Sequence, residues 1–177
     1  MTDGLDILVE TLITGNLVLI QGLGLYALTR YTKSVKQAAV TGLNTVAGML
    51  VGAAILWLLG DIVPTSPTSQ LGFYVVVGFV SAVLAPYLTR QEISREYHVV
   101  DTALIGLLLL LSNRGVTGVD NLWVALGASA GYFLTLITVA TIRERLELAP
   151  IPKALRGAPI ILITAGLLGI ALLGFRL

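Results

Sequence analysis

Cysteine is absent from all 177 residues, histidine occurs once, and only 12% of the chain is charged. Each shortage closes a class of function. Without cysteine there is no disulfide and no thiolate metal site, and His98 cannot build a multi-histidine site by itself. A soluble domain is nearer about a quarter charged. The formal net charge of +1 supplies no broad basic field, so nucleic acid is not an expected partner. The first segment carries Asp3, Asp6 and Glu10 with no basic stretch, and it is not expected to be a cleavable signal peptide.

What is present is apolar surface. Hydrophobic residues make up 56% of the chain, and the mean hydropathy is +0.91. A chain of this length cannot bury so much in one core, so it must face the lipid bilayer. Apolar runs predict helices over 5–29, 37–60, 70–89, 98–113, 121–142 and 158–175, most of them near the ~20 residues that cross a bilayer. The breaks are polar, glycine-rich or proline-bearing. Lys and Arg collect at Arg30, Lys33 and Lys36, at Arg90 and Arg95, and at Arg143, Arg145, Lys153 and Arg156. Cytoplasmic loops gather such residues. The expectation is therefore an all-α, multi-pass protein of the cytoplasmic membrane, with six transmembrane helices and both termini outside.

The segment from Val9 to Gly24, VETLITGNLVLIQGLG, recurs in part at Val100 to Gly115, VDTALIGLLLLLSNRG, at an offset of 91 (100 − 9). Six of sixteen positions are identical, and Glu10 falls opposite Asp101. Three crossings separate the copies, so the second is inverted. A single membrane domain over 1–177 is expected as a 3+3 inverted-topology repeat, residues 1–92 against 93–177. Such repeats are common in transporters, and paired interruptions in the two halves point to the functional centre. Helices 1 and 4 are the interrupted candidates. Gly15, Gly22 and Gly24 lie inside the first, and the fourth is short before Ser112-Asn113-Arg114. The glycines also fit close helix packing, as do Gly48-x-x-x-Gly52 and Gly127-x-x-x-Gly131; whether the partners of those pairs lie in this chain or another is open.

Ionisable residues at membrane depth mark ion paths. Glu10 and Asp101 fit gates flanking such a path, and equally fit carboxylates placed in first turns where the helix dipole favours them. Arg114 has three outlets: snorkelling, pairing with a carboxylate of another helix, or filling the centre between the halves. Asn16, Gln21 and Asn113 can coordinate a cation or bond backbone groups freed by a broken helix.

The stretch TIRERLELAPIPKALRGAPIILITAGLLGIALLGF resembles the RnfA/NqrE-type membrane subunits of the Rnf and Nqr redox pumps, in which an IRERL segment, a proline-bearing loop, an Arg-Gly pair and an LITAGL helix follow in this order. GNLVLIQGLGLYAL is similar to the family's first helix, with Leu23-Gly24-Leu25, and Ser112-Asn113 resembles the Thr-Asn of its fourth. The resemblance implies six spans in an inverted repeat and a homologous sister membrane subunit, or a second copy, as partner. It also implies a complex with flavin and iron–sulfur redox subunits that couples electron flow to sodium or proton movement. In the family the two interrupted helices supply cysteines to a shared two-iron two-sulfur cluster. Here Tyr26 and Arg114 stand at those ligand positions. Phenol and guanidinium do not replace thiolates in such a cluster. The chain is therefore expected to bind no iron–sulfur cluster and no metal, and to have no catalytic site of its own. Two functions remain: a non-redox membrane subunit of an Rnf/Nqr-like electron transport complex, shaping or gating an ion path, or a free-standing small ion transporter, channel or scaffold on the same fold.

Overall fold

Polar and backbone-bending residues set where each helix starts and stops. A computed structural model of the chain describes residues 4–59, 62–64, 66–89, 102–114 and 120–174. Among these residues the regular structure is helical: α1 Gly4–Leu12, α2 Leu25–Tyr31, α3 Val35–Leu58, α4 Pro67–Thr89, α5 Thr102–Arg114, α6 Asp120–Glu147 and α7 Ala158–Leu173, with a 3-10 turn at Lys153–Leu155. Helices α3, α4 and α6 are long and apolar enough to cross a membrane, and α5 and α7 are shorter apolar helices. This is the all-α integral membrane architecture expected. The Ser34 hydroxyl accepts from the Gln37 amide and starts α3. Pro67 opens α4, and Gly157, at φ 90°, ends the approach to α7.

The first expected span is indeed interrupted. Residues 13–24 are non-helical and separate α1 from α2. The fifth span runs longer than the 121–142 expected from hydropathy and ends at Glu147. Its last turns are held by tertiary bonds that apolarity cannot reveal. Arg143 donates through Nη1 to the Thr29 carbonyl (3.4 Å), and Glu144 accepts from the Val35 amide (2.8 Å). One helix end thus closes off the C-terminus of α2 and the N-terminus of α3.

These contacts also fix directions. Along α6, Gly127 meets Leu8, Gly131 meets Asn16, and Arg143 meets Thr29, so α6 runs parallel to α1 and α2. Val35 lies at Glu144 while Gly42 meets Phe133 and Leu136, so α3 is antiparallel to α6. Gly48 meets Leu104 and Gly52 meets Leu108, so α5 is parallel to α3. The first helices of the two halves therefore run in opposite senses, as an inverted repeat requires. Helices α3 and α6 form the centre, where Met49, Leu107, Leu108, Tyr132 and Leu136 are fully buried.

Both GxxxG pairs are used inside the chain, reciprocally. Gly48 and Gly52 of the first half seat α5 of the second, and Gly127 and Gly131 of the second seat α1 of the first. A Cβ added at Gly127 would stand 2.7 Å from the Leu8 carbonyl oxygen. The glycines let the backbones touch, as packing in lipid demands, and they no longer argue for an additional protein partner.

The halves are also unequal. In the first, α2 continues the span beyond the break. In the second, five residues, 115–119, separate α5 from α6.

Candidate functional site

The break in the first span is built by Asn16. Its side chain is 3% exposed. Oδ1 accepts from the amides of Val18 and Leu19, each at 3.0 Å. Nδ2 donates to the Leu12 and Gly131 carbonyls, each at 3.3 Å, and to the Thr135 hydroxyl at 3.2 Å. Those amides and the Leu12 carbonyl are groups a helix break frees, and at membrane depth no water serves them. Gln21 acts similarly, donating through Nε2 to the Gly15 carbonyl at 3.3 Å. Asn16 and Gln21 both bond backbone groups freed by the break. The Asn16 oxygen accepts two backbone N–H groups, the repair of backbone that the break requires.

Glycine supplies the turns. Gly22 and Gly24 lie at φ 69° and 81°, a region that L side chains rarely adopt. Beyond them the segment meets α5. Gly24 lies under Ala103 and Tyr132, and the Leu23 side chain fills the space over Gly106. On the opposite side, Gly169 of α7 lets the Leu19 carbonyl approach to 2.7 Å from where a Cβ would stand. Three elements of the second half therefore close on one irregular segment of the first.

Tyr26 occupies the second position of α2, is 49% exposed, and meets Tyr31 edge-on with ring centroids 6.2 Å apart. The interrupted segment touches α5 at Ala103 and Gly106. Arg114, the last residue of α5, is roughly 12–16 Å further along that helix at 1.5 Å per residue. The side chains of Asn113 and Arg114, and Asp101 altogether, lie outside the described residues.

Glu10 is exposed and is the seventh of the nine residues of α1. It sits in the last turn, where the helix dipole opposes a carboxylate rather than favouring it; the first-turn acid is Asp6. The dipole therefore does not account for Glu10. Thr135 and the Arg143 and Glu144 clamp escaped the sequence reading. A lone hydroxyl in an apolar stretch carries no local signal of a partner 119 residues away. Among the described residues no group of three or more His, Cys, Asp or Glu side chains could hold a metal ion.

Beside the break, α1, α6 and α7 bound a groove of about 240 Å³ with Asn16 and Thr135 at its polar floor and leucines along its walls.

Known proteins share this architecture in sequence. Residues 97–177 match the family described as Rnf-Nqr subunit, membrane protein. The chain is similar to proteins named as the A-type subunits of ion-translocating oxidoreductase complexes from Edwardsiella ictaluri (33% identical), Vibrio cholerae (32%) and Syntrophotalea carbinolica (31%), each over 99% of this chain and 97% of the relative. The last alignment spans 189 positions against 177 residues, so that relative carries at least twelve residues this chain lacks (189 − 177). Similarity at this level along almost the whole chain, on a helical membrane fold with an interrupted first span, places the protein in the Rnf-Nqr family of membrane subunits.

Proposed function

We propose that the chain is a membrane subunit of an ion-translocating oxidoreductase complex, shaping or gating a sodium or proton path without carrying electrons itself. The observation that carries this reading is a mismatch. Near-full-length relatives bear the name of such a subunit, yet this chain contains no cysteine and therefore no thiolate for a cluster. The fold persists where the ligands do not. What it retains is irregular backbone at membrane depth, tolerated only inside protein or beside a cavity, and here repaired by Asn16 and Gln21.

In the proposed arrangement the chain crosses the cytoplasmic membrane six times. The end bearing Arg30, Lys33, Lys36, Arg145 and Lys153 faces the cytoplasm, as the distribution of basic residues favours. A homologous sister subunit or a second copy packs beside it, with flavin and iron–sulfur subunits further off. Glu10, Asp101, Asn113, Arg114 and the side-chain oxygen of Gln21 remain the ion-path candidates, and Tyr26 faces outward where a ligand would have stood.

Purification from native membranes under mild detergent tests the assignment. Redox subunits should come along, while the isolated chain should show no stoichiometric iron and no two-iron two-sulfur resonance. A cluster signal on the isolated chain refutes the non-redox role. Recovery of the chain alone or as its own dimer, with ion flux in vesicles, would favour a free-standing transporter instead.

A further inference from the structure

The groove beside the break has a second, open end. Its walls include Leu134 and Thr138 of α6 and Leu168 and Leu172 of α7, and its inner end is Leu12 and Asn16. Along α6, Leu134, Thr138, Thr141 and Arg145 recur at helical spacing on one face, and all four are exposed. That stripe leads from the groove to the basic end of the bundle. The loop joining the two walls carries Lys153 and Arg156, both exposed. Among the described residues, Glu144 on this end is engaged with the Val35 amide and Glu147 lies beside Arg143 at 3.8 Å.

Depth, lining and charge identify the occupant. From Leu134 to Arg145 is eleven residues (145 − 134), or roughly 16 Å at 1.5 Å per residue. That is about half of a ~30 Å hydrocarbon layer, the depth of one leaflet. The groove is partly open to the outside and lined almost wholly by apolar side chains, Asn16, Thr135 and Thr138 apart, as a hydrocarbon chain requires. Among the described residues, the cations at the open end stand at headgroup height, where each Lys or Arg attracts anionic lipid. We propose that the groove between α6 and α7 holds one acyl chain of an anionic phospholipid from the leaflet on the basic side, its phosphate held by Arg145 and Lys153. This does not rest on the coupling role proposed above, only on the chain lying in a membrane.

Native mass spectrometry of the full chain, purified from membranes and equilibrated with phosphatidylglycerol or phosphatidylcholine, tests it. One phosphatidylglycerol per chain should be retained, roughly tenfold or more over phosphatidylcholine. The double variant Arg145→Glu/Lys153→Glu should lose that preference. Thr138→Trp, which fills the groove, should lose the lipid whatever its headgroup. Equal retention of the two lipids overturns the proposal. So does undiminished retention in Thr138→Trp, which would put the lipid on the basic face alone. If Thr138→Trp does not fold, Thr138→Cys gives a single labelling site in a cysteine-free chain. A fluorophore there should be quenched at least twofold more by brominated phosphatidylglycerol than by brominated phosphatidylcholine in vesicles, and equal quenching refutes the site.

Discussion

Replacing Asn16 by leucine removes five hydrogen bonds from the break while keeping the side-chain volume nearly unchanged. Two estimates of the cost converge. Hydrogen bonds inside membrane proteins average about 0.6 kcal/mol each; the two N–H of Nδ2, shared among three acceptors, and the two bonds to Oδ1 are together worth ~2–3 kcal/mol. Alternatively, the change strands the Val18 and Leu19 amides and the Leu12 carbonyl, at about 1–3 kcal/mol per buried group, so ~3 kcal/mol is the lower bound. Against a total stability of roughly 5–15 kcal/mol, the unfolded fraction rises about a hundredfold or more. Thr135→Val, which removes one partner of the same network, should cost only about 0.6–1 kcal/mol. Equilibrium unfolding in mixed micelles measures both. An Asn16→Leu protein within ~0.5 kcal/mol of the parent would refute the account of the break. A cation-ligand role for Asn16 makes a different demand: sodium would stabilise the parent protein, and Asn16→Leu would abolish the effect.

Gly127→Ala should destabilise by about 1–2 kcal/mol, because its Cβ meets the Leu8 carbonyl and overpacking exceeds the ~1 kcal/mol helix gain of alanine; Gly166→Ala, with nothing within 4 Å, should be neutral or stabilising in the same thermal assay. Glu144→Ala should lose a helix cap worth about 0.5–2 kcal/mol and expose the 30–36 turn to limited proteolysis; unchanged cleavage would deny the clamp. Single cysteines replacing Ser66 and Ala154 should react with impermeant reagents from opposite sides of sealed vesicles, and labelling from one side would contradict the crossing pattern. Glu10→Gln and Asp101→Asn should lower ion flux with assembly intact; flux unchanged in both removes them from any path.

Much of the candidate site was legible in the chain and much was not, for reasons visible in single residues. Gly15, Gly22 and Gly24 announced a weak place in the first span, since glycine is costly inside a helix wherever it occurs. They did not announce that Asn16 would hold the break together, because three of its five bonds are local and the other two reach Gly131 and Thr135 across the bundle. The GxxxG pairs were visible as places of close approach, but not the exchange in which each half seats the other's first helix. The extent of α6 was underread because hydropathy stops where lipid stops, whereas Arg143 and Glu144 carry the helix onward by bonding other helix ends.

Composition and the length of the apolar runs determined that this protein lives in lipid, that its spans are helical, and that it cannot supply a thiolate to any metal, because these follow from which atoms are present, how they are grouped and which solvent they tolerate. The alternation of basic and apolar segments set the expected number of crossings in the same additive way. Tertiary structure decided the rest. The exchange of helix seats between the halves, the role of Asn16, the extent of α6 and the groove between α6 and α7 all depend on which distant residues meet. A residue's partner is a property of packing in three dimensions, and no pattern confined to one segment encodes it.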